Sequence, residues 1–599
     1  MHQAKYPLVV LGFLLISCTH QKALAPVIAE DGLSRADAPV AAEAPAPPRA
    51  EAELAASSAP EPIMADDLLA APSEKHRLAA AAAPKAASPA RAKRQAVLEG
   101  SAYAESDALA GLVAAPASPS PLMLNQDFST ERYDHASETG FRLATEQPLA
   151  TFSVDVDTAS YSNVRRFLNE GRLPPADAVR VEELINYFDY DVPASADGQP
   201  LALATELTES PFHAGNQLLR ISLRAAAPRS AAVPARNLVF LIDVSGSMDS
   251  PNKLPLLQAA LRLLVQQLND RDSVAIVAYA GASGVVLPLT RGGQHGRILA
   301  AIDGLGAGGS TNGAGGIQRA YQLAAEHFDP EAVNRVVLAT DGDFNVGVTS
   351  EGELVRLIES ERERGIFLTV LGFGMGNLND STMEQLADHG NGSYAYIDTL
   401  REARKVLVEQ VSSTLRTVAK DTKLQIEWNP ARVASYRLIG YENRRLADEA
   451  FNDDTKDAGE MGDGHVVTAL YELEPSGVAK AAQLDPLKYQ TTRALAPSSS
   501  HELCTIKVRY KAPADRQSRR FERAVTEQAR PLAQAAADTR FATAVAGFGM
   551  LLSESKHAGQ FGYQDVVRLA NGAIGRDPDG YRGEFMTLVS RAQALSRTN

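Results

Sequence analysis

Five oxygen-bearing side chains stand in three short stretches of the sequence. Asp243, Ser245 and Ser247 lie in "FLIDVSGSMDS", Thr311 in "GLGAGGSTNGAGG" and Asp341 in "LATDGDFN". An acid followed by alternate hydroxyls suits a nucleophile, a phosphate cradle, a helix cap or a metal site. In an extended segment alternate side chains point the same way, so D-x-S-x-S aims three oxygens at one point. A hard divalent ion of the Mg2+ type takes six oxygens in near-octahedral order and tends to keep some water. Three hydroxyls and two carboxylates offer five such ligands. Where the carboxylates act through water, the ion stays electrophilic and seeks an acidic sixth ligand from outside. Taken alone, D-x-S-x-S after a strand is as readily a helix cap. Thr311 and Asp341, each in its own loop and in the required order, are what turn the pattern into a metal centre.

Other chemistries lack parts. The chain has no G-x-S-x-G elbow, no H-E-x-x-H and no G-x-x-x-x-G-K-[ST] loop. No general base is positioned near a nucleophile, so the expectation is a chain that is not an enzyme. Asp155 and Asp157 in "DVDTASYSNVRR" begin like a calcium-binding loop, but Ser160 stands where glycine is required and Arg166 where glutamate should be. The 59 Lys and Arg against 73 Asp and Glu give a net charge of -14, which argues against nucleic acid as a partner.

The loops that carry these residues must be held by strands and helices. From residue 236 to about 420 the pattern repeats strand, helix, strand, with strands such as "NLVFLIDVS", "SVAIVAYA", "NRVVLATDG", "IFLTVLGFG" and "SYAYIDT" and a last helix over Leu400 to Val418. Apolar strands between amphipathic helices predict a doubly wound α/β domain with a mostly parallel sheet covered on both faces. In such sheets ligands bind beyond the carboxyl ends of the strands, where all three stretches fall. Residues 125–200 read as helical: Thr158 is placed to cap a helix bearing Tyr161, Val164 and Leu168 on one face, and "LPPADAVRVEELINYF" starts a second one. Strands are expected in 201–235 and 421–515, with 201–226 and 422–512 forming one β-sandwich into which the α/β domain is inserted. Helices close the chain over 516–599, with Phe541, Val545, Phe548 and Leu552 on one face.

The constellation Asp243, Ser245, Ser247, Thr311 and Asp341 resembles the metal-ion-dependent adhesion site of von Willebrand factor type A (VWA) domains, found in integrins and many bacterial proteins. The resemblance implies that Ser245, Ser247 and Thr311 coordinate directly while Asp243 and Asp341 act mainly through water. It also implies a divalent cation, Mg2+ first and Mn2+ or Ca2+ as alternatives. "FSVDVDTASYSNVRRFLNEGRLPPADAVRVEELINYFDYD" and "YRLIGYENRRLADEAFNDDTKDAGEMGDGHVVTALYEL" look like the flanking regions of bacterial VWA lipoproteins, a likeness that covers roughly 125–599.

The amino terminus fits that family. Residues 1–18 read as a lipoprotein signal segment: Lys5 and an apolar run from Pro7 to Ile16 are too short to span a bilayer for good, and "LISC" resembles a lipobox in which Cys18 becomes the lipidated first residue of the mature chain. Thr19 in place of aspartate favours the outer membrane of the cell envelope. Residues 19–124, rich in Ala, Pro and Ser, read as a tether whose roughly 100 residues span about 50 to 60 Å as a flexible coil. The expected function is a membrane-anchored, metal-dependent adhesion module that grips an acidic side chain of a partner protein. The alternative is a structural or assembly factor of the envelope that uses the metal for stability only.

Overall fold

The candidate site hangs on one six-stranded sheet. Its order across the sheet is Tyr394–Ile397, Ile366–Phe373, Val333–Thr340, Arg236–Asp243, Ser273–Tyr279 and Ser283–Arg291. The first five strands run parallel and the last is antiparallel. This comes from a computed structural model, which describes residues 131–135, 137–195, 198–226, 234–309, 313–342, 351–376, 378–410, 416–477, 500–513 and 515–597. The described residues all belong to the unit spanning Ala117–Asn599.

Alternation along the central strand explains the layers. Leu238, Phe240 and Ile242 pack with Leu257, Leu261 and Leu264 of the helix Leu254–Val265 on one face. Val239 and Leu241 pack with Ile317, Tyr321, Ile358 and Met383 on the other. A strand buried on both faces has to be apolar throughout, as this one is. Chain order reverses at the same strand: Ser273–Tyr279 pairs on one side and Val333–Thr340 on the other. The two connections therefore part at the carboxyl end of Arg236–Asp243, the place where open α/β sheets form a ligand crevice.

The flanks form an antiparallel sandwich. One sheet runs Arg142–Leu143, Val433–Leu438, Val466–Pro475, Gln217–Ala225, Leu201–Glu209; the other runs Arg445–Leu446, Leu149–Ser153, Thr417–Trp428, Cys504–Lys511, Arg519–Val525. Their inner faces share one core with Phe152, Leu219, Leu424, Trp428 and Ile506, in which the Trp428 ring stacks on Tyr436 at 5.0 Å. Cys504 is a free thiol in this core, and burial pushes its pKa up. Leu218 and Leu470, one residue out of phase with Leu219 and Tyr471, face outward and meet Leu184, Phe541, Val545, Phe548 and Phe585 in a helical core. This core gathers the early helices Ala159–Asn169 and Val181–Asn186 with the late ones Ala537–Leu552, Tyr563–Asn571 and Tyr581–Ser596.

Several expectations change. Residues 125–200 are not purely helical, since Arg142–Leu143 and Leu149–Ser153 join the sandwich sheets, and neither are 516–599, since Arg519–Val525 pairs with Cys504–Lys511 before the helices begin. Thr158 stands at the start of its helix but makes no side-chain cap bond. The second helix begins only at Val181, after a separate turn at Ala176–Ala178. The helix expected over Leu400 to Val418 covers Leu400–Arg404 and continues as a π-helical turn, Lys405–Glu409; a strand starts at Thr417. Its apolar spacing persists past 410, but sheet pairing of Thr417–Trp428 on both sides overrides it. The edge strand Ser283–Arg291 and the helix His295–Asp303 were not anticipated.

The insertion is visible at one turn. Gly464 N donates to the carbonyl of Ala225, where the chain leaves for the α/β domain, and Asp463 N donates to that of Arg416, where it returns, both at 2.9 Å. Charged joints then fix the α/β domain to its flanks. Arg165 Nε donates to Asp398 at 2.8 Å, and its terminal nitrogens reach Glu402 at 2.7 Å, Glu584 at 3.2 Å and the Tyr187 hydroxyl at 3.0 Å. Arg444 meets Asp388 at 2.6 Å, Glu384 at 2.7 Å, and Asp155 and Asp157 at 3.3 Å each. The Lys405 ammonium donates to the Tyr187 carbonyl and sits 3.1 Å from the centroid of that ring.

Candidate metal centre

Asp243 is the last residue of the central strand and is fully buried. Its Oδ1 accepts from the Ser245 backbone N–H at 2.9 Å, and its Oδ2 from the Tyr279 hydroxyl and the Thr340 hydroxyl, each at 3.2 Å. Burial pushes its carboxyl above the ordinary range; hydrogen bonds from Ser245 pull it back, while the nearby Asp341 pushes it up again. Both oxygens are thus held by donors, an arrangement that suits a carboxylate working through water.

The chain turns straight after it. A short turn over Gly246–Asp249, with Met248 plugged into the core, presents Ser245 and Ser247 side by side, their hydroxyl oxygens 3.0 Å apart. Ser245 is buried and Ser247 exposed, so the pair runs from the core out to solvent. Asp341 follows the neighbouring strand Val333–Thr340 and is also buried, its Oδ2 accepting from the Lys253 ammonium at 2.8 Å.

The glycine loop approaches the first one through backbone contacts. Gly308 N donates to the Val244 carbonyl at 2.7 Å, and Gly246 N to the Gly309 carbonyl at 3.0 Å. Gly309 has φ +89°, a left-handed conformation that glycine adopts without steric cost. Thr311, two residues further on, lies outside the described residues, as does Cys18. The structure therefore brings Asp243, Ser245, Ser247 and Asp341 together and does not describe the fifth position.

This donor set fits a small divalent ion. Its hydroxyl and carboxylate oxygens are the hard ligands that Mg2+ and Ca2+ take, and the two serine hydroxyls, now hydrogen-bonded to each other at 3.0 Å, stand close enough to serve one ion. Among the described residues no group of three His, Cys, Asp or Glu comes together to hold a metal. Tyr279, Thr340 and Lys253 complete the site, and sequence spacing gave no sign of them. A signal for Lys253 exists in hindsight: "GFGMG" places Gly374, with φ +77°, where an added Cβ would come within 2.8 Å of the Lys253 Cδ and closer still to Cγ and Cε.

A separate cleft of about 350 Å3 opens among the α/β domain, the sandwich and the helices, lined in part by Arg335, Asn391, Glu460 and His465. It lies toward the amino ends of the parallel strands, away from the candidate centre.

Comparisons with known proteins match this architecture. The family model for the von Willebrand factor type A domain covers residues 237–410, that described as "von Willebrand factor" covers 127–220, and that for the C-terminal region of the uncharacterized protein YfbK covers 413–595. VWA domains are typically protein-interaction modules, generally without enzymatic activity, and commonly bind a divalent cation. Human inter-alpha-trypsin inhibitor heavy chain H3 is 25% identical over 280 residues, which are 43% of this chain and 30% of that protein. A von Willebrand factor type A structure from Catenulispora acidiphila aligns at 17% identity and a TM-score of 0.37, over 64% of this chain and 89% of that one. "Uncharacterized protein YfbK" of Escherichia coli (strain K12) is 44% identical over 476 residues, 78% of this chain and 82% of its own. With that identity over more than two thirds of both chains, the chain belongs to the bacterial VWA family that includes YfbK.

Proposed function

We propose that this chain is a divalent-cation-dependent adhesion module, lipid-anchored at Cys18 in the cell envelope, that recognises an acidic side chain of a partner protein. The observation that carries the reading is the Ser245–Ser247 hydroxyl pair, 3.0 Å apart above two buried carboxylates. Ser245 and Ser247, joined by Thr311, would hold the ion directly. Asp243, held by Ser245, Tyr279 and Thr340, and Asp341, held by Lys253, would act largely through water. A bound Mg2+ supplies an electrophilic position for an incoming carboxylate. Exposure of Ser247 leaves the solvent side of the centre approachable by a macromolecule. Residues 19–124, whose composition reads as a tether, lie outside the described residues.

Calorimetric titration with Mg2+ tests the centre: the wild type takes up one equivalent and the Asp243→Ala, Ser247→Ala double variant takes up none. Recovery of a partner from envelope extract tests adhesion. A protein retained in Mg2+, released by EDTA and absent with the double variant supports it; identical recovery in Mg2+ and EDTA sinks it.

A further inference from the structure

We propose that the cleft among the α/β domain, the sandwich and the helices binds a small zwitterion, its carboxylate on Arg335 and its ammonium on Glu460 and Asn391. The site lies at the root of the inserted domain and does not depend on the metal centre. At about 350 Å3 the cleft suits a small molecule, since such sites run from about 300 Å3 upward.

Arg335 belongs to the strand Val333–Thr340 and is 3% exposed. One terminal nitrogen donates to the Thr369 hydroxyl at 2.7 Å, while Nε is buried with no hydrogen-bond partner. Among the described residues no carboxylate forms an ion pair with it; Glu460 pulls on it from further off, against the burial that pushes its pKa down to about 10. Arg165 and Arg444, by contrast, are each ringed by carboxylates. The stretch 411–415, which follows Gln410 of the cleft and lies outside the described residues, is VSSTL and adds no charge. A buried donor without an acceptor is costly to keep and calls for one.

The same cleft carries the complement. Asn391 Nδ2 donates to Glu460 Oε1 at 2.7 Å, which leaves Asn391 Oδ1 a buried acceptor with no partner. Burial, reinforced by Asp457 and Asp155, holds the Glu460 carboxyl well above its ordinary range. It keeps a proton that an arriving ammonium displaces to solvent. Other charged groups of the lining are engaged: Lys405 by the Tyr187 carbonyl, Asp155 and Asp157 by Arg444, and Asp463 by Arg416. A simple anion on Arg335 would also meet Glu460, and a simple cation on Glu460 would meet Arg335. A molecule bearing both charges satisfies the two together.

Glycine, β-alanine, 4-aminobutyrate, glycylglycine and the twenty L-amino acids are the probes, with acetate and ethylammonium as single-charge controls. Each is screened on the full chain by melting-temperature shift and titrated by calorimetry, in EDTA so that the metal centre takes no part. The expected result is one equivalent of at least one zwitterion, bound at least about tenfold more tightly than either control. Arg335→Met and Glu460→Gln should each weaken it about tenfold or more, the loss of a charge-assisted hydrogen bond. Ligand-free Arg335→Met should melt no lower than the wild type, because it removes a buried charge that has no counterion, whereas loss of a structural arginine would lower the melting point. Glu460 is only partly buried, so its variant tests the site even where Arg335→Met does not fold. Binding of no probe by the wild type overturns the proposal and leaves the cleft to water. Acetate bound as tightly as the zwitterion overturns it in favour of a plain anion site, and so does unchanged affinity in Glu460→Gln.

Discussion

The joints that fix the α/β domain and the centre at its tip treat buried charge in opposite ways. At the joints, guanidinium groups are surrounded: Arg165 by Asp398, Glu402 and Glu584, and Arg444 by four carboxylates from the α/β domain and the segment at 155–157. At the centre, two buried carboxylates face one ammonium, and much of the remaining lining is hydroxyl. Removing one partner from a buried, paired set leaves an uncompensated charge and is costly. At the centre that balance is absent: two buried carboxylates are matched by one ammonium and by hydroxyl donors, which is the arrangement the proposed cation would complete.

Four perturbations put that contrast to the test. The largest effect is expected for Arg165→Met, which strands three acids and should cost about 3–5 kcal/mol in denaturant unfolding. Mg2+ uptake by the molecules that remain folded should be unchanged. Next comes Gly374→Ala, which forces a side chain into the left-handed region and into the Lys253 stem. A loss of about 1–3 kcal/mol is expected, together with altered Mn2+ affinity, because the ammonium is pushed off its line to Asp341. A stability effect with Mn2+ affinity untouched would separate the groove from the centre.

The third perturbation is pH. Burial, reinforced by the neighbouring Asp155, holds the Asp157 carboxyl well above its ordinary value. The folded state therefore keeps a proton that the unfolded chain releases. The stability this contributes is fully present below the ordinary aspartate pKa and is lost as pH rises through the raised one, with a slope of at most about 1.4 kcal/mol per pH unit. Asp157→Asn should flatten that slope in unfolding curves collected across this range; an unchanged slope would place the titration elsewhere in the joint. The smallest stability effect belongs to Ser247→Ala. At an exposed position the change should stay within about 0.5 kcal/mol, while Mg2+ affinity falls by about tenfold or more in calorimetry.

Much of this was legible in the sequence where one physical demand acted alone. The double-sided burial of Arg236–Asp243 left an unbroken apolar run, and the last helical face of Phe541, Val545, Phe548 and Leu552 kept its period. Where two demands competed, the pattern misled. Ser283–Arg291 carries Pro288 and exposes Val285 and Val286, as an edge strand with a single neighbour can, so it lacks the usual alternation. The stretch 400–418 keeps a helical period into residues that a sheet then claims. At the centre, the order Asp243, Ser245, Ser247, Asp341 was readable because each stands in a loop at a strand's carboxyl end. Lys253, Tyr279 and Thr340 were not, because a supporting hydrogen bond is set by where three separate elements meet in space.

The single turn at 462–465 that grips both stems of the inserted domain carries one more lesson. Ala225 belongs to one sheet of the sandwich and Thr417 to the other, so tension applied at the far tip is divided between two layers from a common root. The inserted domain is thus rooted in both layers through one short turn, so a change in the loops at its tip need not disturb the pairing of either sheet.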